Sequence, residues 1–525
     1  MKAVKTNVMA IATFFAIALL MGPNTAAAET YGLVILNGRV MDPETNFDAV
    51  RNVGVKDGSI AIITQDKIKG RKTIDASGHV VAPGFIDMHN HNTAAPFGQK
   101  LALRDGVTTP MELEAGVYPV NEWYAALEGK SQSNYGATVG TIPVRENLFN
   151  DAYISEFAGD FLFDMQVPGK THTSMKWSTQ IATDEQIVKV GQMLEEGLKQ
   201  GALGIGHCPG YMEFGVTQRE SNRVQQLAGK HSSMVAVHGR YSSQMPPASG
   251  LLGISEMMAP QAAYGGGLVI QHMTAQTLSV TPAALQIIDD ARDNQVPVLA
   301  EIYPYNFGST IVGADYLHPD NYQKNMGRDY KDIIEISDMK PLTKDRYETL
   351  VKSAPGTSVL FYNATEAMVN TALAHPNTVL GSDSYPYTLR EKGGPAIAWD
   401  TPYDGVNGHP RGAGTHARLL RLVREKKVDI PLMLGISKMT YLIATFMQEN
   451  GVEQMARKGR MQVGADADIT IFDPATVKDN STQKDGGLPS TGIPYVVVNG
   501  TIVVKDSKVL KGVYPGQPIR NPVTN

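Results

Sequence analysis

The chain has 525 residues, 47 basic against 52 acidic side chains, a formal net charge of −5 and a hydrophobic fraction of 42%. That length exceeds one small domain and suits one large domain with a satellite. The ordinary apolar fraction excludes a disordered or collagen-like chain. A mildly acidic balance with no Lys/Arg block argues against a nucleic-acid partner. Cys208 is the single cysteine, so neither an intramolecular disulfide nor a cysteine-built structural zinc site is available.

Residues 1–28 read MKAVKTNVMAIATFFAIALLMGPNTAAA. Lys2 and Lys5 give a positive start, residues 8–22 an apolar run, and Ala26 and Ala28 small residues in A-x-A spacing. This is the pattern of a secretory signal peptide cut before Glu29. The run is short of the ~20 residues a membrane span needs. The expectation is a periplasmic or secreted protein with no stable membrane anchor after cleavage.

Next come short strand-like runs: YGLVILNGRVMD, NVGVKDGSIAIIT and GHVVAP, punctuated by Asn37-Gly38 and Asp57-Gly58 as turn pairs. The far end repeats the style in DADITIFDP and IPYVVVNGTIVVKDSK, with Asn499-Gly500. Both ends together predict one small β-sandwich, from residues 29–82 and 451–525. Between them, residues 83–450 alternate apolar strands such as SMVAVHG, GLVIQHM and VPVLAEIYPY with helical stretches at 185–201 and 282–295. Strand then helix, repeated, points to an α/β fold: a (β/α)8 TIM-like barrel or a doubly wound sheet. An irregular stretch near 308–359 reads as an insertion over the barrel mouth and a substrate lid.

Polar residues close the apolar strands. In FIDMHNH, strand period two puts His89 and His91 on one face. His238 ends MVAV, His272 follows LVIQ, and Asp383 follows TVLGS. In a barrel all five converge on the carboxyl-end face, where active sites lie. Four imidazoles and a carboxylate there make a metal site.

This constellation resembles the amidohydrolase superfamily. The stretches PGFIDMHNH, DGVTT, GALGIG, VHGR, YPYNFGST, GSDSYP, HPRGAGTHARLLRLVRE, KMT and GADADITIFDPATVKD follow in the order seen in D-aminoacylases, the N-acyl-D-amino-acid deacylases. The resemblance implies the barrel-plus-sandwich fold, one or two Zn2+ ions, and hydrolysis of the amide bond of N-acyl-D-amino acids, with Asp383 moving the proton as general acid and base. It also marks a departure. The family carries a cysteine ligand after GVTT, where this chain reads PMELEAG and places Ala115. Glu114, nearer the strand end, is the first substitute as ligand, Glu112 the second, and a carboxylated Lys170 or Lys176 a third. The ELEAG variant looks like the D-glutamate deacylase branch.

A substrate of this class carries an α-carboxylate. Arg240, two residues after His238, offers a bidentate fork. Tyr211 resembles the family's carboxylate-binding tyrosine, and Tyr303, Tyr305, Ser309 and Thr310 lie in the matching YPYNFGST loop. Thr274 stands where the family often has a lysine, which implies a different substrate preference. Two other readings share the metal residues: a cyclic-amide hydrolase of hydantoinase or dihydroorotase type, and a non-catalytic exported metal-binding protein. Asp383 argues against the last, since a pure binder needs no base.

Overall fold

Alternating apolar residues at the two chain ends fold into one nine-stranded sheet. The computed structural model describes residues 30–150, 153–165 and 175–524. The expected leader, residues 1–28, and Lys170 lie outside them. In the sheet the order is Lys508–Val509, Thr501–Lys505, Tyr495–Val498, Ile469–Phe472, Val80–Pro83, Tyr31–Asp42, Phe47–Lys56 and Ser59–Thr64, with Gly70–Asp75 also pairing on Tyr31–Asp42. The N-terminal and C-terminal groups meet where Val80–Pro83 pairs antiparallel with Ile469–Phe472.

Strand period two then divides the sheet's faces. Val81, Ile469, Ile471 and Val497 pack with Leu33, Ile35 and Val53 in the satellite's own core. Val80, Ala82, Val496 and Val498 face the other way and join the barrel's outer core.

Asp57-Gly58 and Asn499-Gly500 are tight turns with positive φ at both residues. Asn37-Gly38 is not a turn. It sits inside Tyr31–Asp42 as a bulge, with the register slipping between Ile35 and Gly38. A Cβ on Gly38 would lie 2.3 Å from Val81 Cγ2, so the glycine serves close packing rather than chain reversal.

The middle of the chain forms eight parallel strands: β1 Phe85–Asp87, β2 Val107–Val117, β3 Gly136–Gly140, β4 Gly204–His207, β5 Met234–Val237, β6 Gly267–Ile270, β7 Val298–Ile302 and β8 Thr378–Leu380. They pair in chain order from β1 to β8. The seam between β8 and β1 is closed by loops. His91 N donates to Ser384 O at 2.8 Å and Ser382 N to Asp87 Oδ1 at 2.9 Å. This is the expected (β/α)8 barrel.

Amphipathic helices cover it, among them α1 Asp184–Lys199, α2 Gly250–Tyr264, α3 Thr281–Asp293 and α4 Arg411–Arg424. Helix α1 starts on a reciprocal Thr183–Gln186 capping box. Inside, Ile86, Met111, Leu113, Ala236, Val269 and Leu299 meet Ile443, Phe446 and Met447 of α5 Tyr441–Glu449, which plugs the amino end.

The stretch after β7 is a small subdomain. Phe307–Ile311 and Ile333–Glu335 both pair antiparallel with Ser358–Tyr362, and Lys340–Pro341 borders the edge. Its Ser309, Tyr316 and Phe361 reach over the carboxyl end of the barrel. Among the described residues no helix is long and apolar enough to cross a membrane.

Candidate metal centre and substrate cavity

The strand ends deliver six side chains to one buried cluster. Two groups have ligand-type atoms within 4.8 Å of one another: His89, His91 and Asp383, and Glu114, His238 and His272. Glu114 joins the groups. Its Oε1 lies 3.0 Å from His238 Nδ1 and 2.7 Å from His272 Nε2. Its Oε2 lies 3.4 Å from Nε2 of both His89 and His91. Asp383 Oδ1 sits 3.4 and 3.5 Å from the same two nitrogens.

A ring of carboxylates outside the cluster turns the imidazoles. His89 Nδ1 meets Glu301 at 2.9 Å and His91 Nδ1 meets Glu112 at 2.7 Å. Each Nδ1 is thereby occupied, and each Nε2 keeps its lone pair toward the centre. Glu301 also accepts from His272 N at 2.6 Å. Inward-facing imidazole nitrogens and carboxylate oxygens, with outward carboxylates fixing the tautomers of His89 and His91, fit a divalent transition metal.

Electrostatics agree. Burial alone would pull His89 down, but Asp383 and Glu114 beside it push it up to about 10. Burial would raise Glu114, yet His89 and His238 hold it well below the usual carboxylate range. The imidazoles beside Glu114, and Arg411 with His89 beside Asp383, thus hold the cluster's carboxylates ionised.

The backbone is bent to make this arrangement. His272 and Asp383 both adopt left-handed φ values, 32° and 50°. For non-glycine residues these are uncommon and gather at functional sites. Strand β2 shifts register between Glu112 and Val117, which brings its acidic end inward. Two glycines permit this. Gly116 has φ +65°, and a Cβ on Gly206 of β4 would lie 2.3 Å from Glu114 O. The same carbonyl accepts from Cys208 Sγ at 3.3 Å, so the one cysteine supports Glu114 from behind and does not face the cluster.

Beside the cluster lies a cavity lined in part by Tyr211, Tyr303, Ser309, Tyr316, Asp383 and Arg411. Arg411, at the start of α4, donates to Asp383 Oδ1 at 2.7 Å and lies over the Tyr303 ring at 4.9 Å. Burial would raise Asp383, but Arg411 first and His89 next hold it at about 2. Arg411 Nε and Ser309 Oγ are buried without a partner, which leaves donors for an anion. Tyr211 OH accepts from Thr310 Oγ1 at 3.1 Å and from Tyr316 OH at 3.3 Å.

A family model described as "Amidohydrolase family" matches residues 72–139. The N-acyl-D-glutamate deacylase of Alcaligenes xylosoxydans xylosoxydans is 27% identical over 508 residues, covering 90% of this chain and 94% of that protein. Over most of its length the chain is thus similar to proteins that hydrolyse N-acyl-D-amino acids. Its fold matches the solved N-acyl-D-glutamate deacylase from Bordetella bronchiseptica, complexed with zinc and a phosphonate inhibitor, with a TM-score of 0.73. The identity there is 24%, over 94% of this chain and 100% of that one. A D-aminoacylase described with a binuclear metal center gives a TM-score of 0.72 at 21% identity, over 94% of this chain and 100% of that chain.

One expected site residue is corrected. Arg240 does not line the cavity. Its Nε donates to both Glu256 oxygens at 3.0 Å, and its other nitrogens donate to Glu213 O at 2.7 Å and Val216 O at 2.6 Å. Period two gave its reach but not Glu256, on α2, which captures it. The cavity's guanidinium is Arg411, in the HPR segment. Lys176 is exposed on the short helix Lys176–Thr179, away from the cluster. His207 is buried between Thr141 and Ser221, and desolvation pushes it down to about 3, which keeps it neutral. Tyr211, Tyr303 and Ser309 all face the cavity.

Two contributors were missed: Arg411 and Glu301. Glu301 interrupts the apolar run VPVLAEI, the same polar-in-strand signal that marked the histidines. Glu112 orients His91 rather than facing the centre. Glu112→Gln should therefore lower metal affinity and rate by roughly 10–100-fold, less than any change at Glu114, as read by metal titration and steady-state kinetics.

Proposed function

We propose that the chain is a zinc-dependent amidohydrolase that cleaves the amide bond of N-acyl-D-amino acids, with the metal held by His89, His91, Glu114, His238, His272 and Asp383. The observation that carries this reading is Glu114, whose two oxygens face the two groups separately. A carboxylate in that position suits a pair of metal ions. Bound zinc supplies a Lewis acid and lowers the pKa of a coordinated water toward ~7.

The chain's own residues do the rest. Arg411 and Ser309 bind the substrate's α-carboxylate, and the fork of Arg411 fixes its orientation. The incoming carboxylate competes with Asp383 for that guanidinium. Asp383 takes a proton from the attacking water and passes it to the leaving nitrogen, without which an amide leaves poorly. Tyr211 and Tyr303 wall the site, and the subdomain over 307–362 excludes water from above. Hydrolysis of N-acetyl-D-amino acids, set against their L-isomers and hydantoin, tests the reading. D-selective release of acetate supports it. Ring opening of hydantoin without deacylation would replace it with the cyclic-amide reading.

The proposed location is the periplasm or the exterior, from the leader-like residues 1–28. N-terminal sequencing of protein from the producing cells should read from Glu29. Met1 retained in a membrane pellet would contradict export.

A further inference from the structure

We propose that His409, fixed in one tautomer between two elements, is a positioning residue that holds Arg411 in place for the substrate's carboxylate. The inference rests on the deacylase reading and deepens it. His409 opens the HPR segment, two residues before Arg411, and is 2% exposed. It makes two hydrogen bonds of opposite sense. Its Nδ1 accepts from Arg411 N at 3.0 Å, and its Nε2 lies 2.8 Å from Phe307 O. A backbone N–H only donates and a carbonyl only accepts, so the ring proton sits on Nε2. Burial first, and the Arg411 guanidinium next, hold His409 well below its usual value, which keeps the ring neutral and the Nδ1 lone pair available.

The first bond serves the open start of α4, where the leading N–H groups have no partner within the helix. It fixes the backbone from which the Arg411 side chain leaves. The second ties down the strand Phe307–Ile311, where Ser309 O accepts from Arg411 Nη2 at 3.3 Å and Ser309 Oγ is buried without a partner. Aromatic rings hold the imidazole between these bonds, with Phe307 at 4.3 Å and Tyr305 edge-on at 5.2 Å. Tyr303, which carries the Arg411 guanidinium over its ring, meets the same imidazole at 6.4 Å. Arg411 and Ser309 line the cavity, and His409 acts through them.

The test compares His409→Ala, His409→Asn and His409→Gln in the full chain loaded with zinc. The substrate is whichever of N-acetyl-D-leucine and N-acetyl-D-glutamate the wild type hydrolyses faster. Asparagine places Oδ1 near the position of Nδ1 and keeps the acceptor for Arg411 N. Glutamine places Nε2 near that of the ring Nε2 and keeps the donor to Phe307 O. His409→Ala should raise KM by roughly tenfold and leave kcat within a few-fold. His409→Asn should recover most of that KM and His409→Gln little of it. A role in packing alone would move KM, kcat and metal content together and would not separate the two amides. KM unmoved in every variant, raised equally by asparagine and glutamine, or recovered by glutamine in place of asparagine would each overturn the inference and leave the deacylase reading standing. If His409→Ala does not fold, the comparison of the two amides decides. Turnover of neither substrate by the metal-loaded wild type would overturn both.

Discussion

Replacing Glu114 by alanine should strip the metal and the activity together. The carboxylate offers one oxygen to His238 and His272 and the other to His89 and His91, so its loss leaves two incomplete groups. Its removal also leaves four buried imidazoles without the anion that organises them. The expected loss is several kcal/mol of metal-supplied stabilisation, roughly 10³-fold or more in rate. Metal analysis of the purified variant, beside Glu112→Gln, separates ligand from orienting residue. Full metal content in Glu114→Ala with full loss in the Glu112 variant would put the ligand two residues earlier along β2.

Asp383→Asn should abolish turnover while metal stays bound. Asparagine keeps an oxygen toward His89 and Arg411 but accepts no proton at physiological pH. General acid–base catalysis contributes roughly 10²–10⁴-fold, and that factor is what kcat should lose. Arg411 would then be buried beside a neutral partner, so thermal stability should fall by up to ~3 kcal/mol. Circular dichroism and metal content, measured on the same sample, separate lost chemistry from lost fold. Turnover within a few-fold of wild type would assign the proton to another residue.

The barrel was legible because its signals are local. An apolar run closed by a histidine or aspartate needs only strand period and length, and β1, β5, β6 and β8 each carry that mark. Two turns of the satellite sheet were legible for the same reason: Asp57-Gly58 and Asn499-Gly500 impose positive φ, which few residue pairs tolerate. What stayed hidden depends on contacts distant in sequence. Arg240 and Arg411 look equally suited to a carboxylate, and only folding shows that Glu256 holds the first while Asp383 presents the second. Asn37-Gly38 shows the limit of turn chemistry, since the same residues satisfy a bulge beneath Val81. Glu112 and Glu114 share a strand and a face in the sequence. Their separation into orienting residue and bridge comes from the slip in β2 that Gly116 and Gly206 allow.

The central claim is that a metal held by these six side chains is required to cleave an N-acyl-D-amino acid. The direct measurement is deacylation of N-acetyl-D-leucine by the full chain before chelation, after chelation, and after zinc is restored. The account predicts activity that disappears with the metal and returns with it. Undiminished deacylation by the metal-free protein would contradict it.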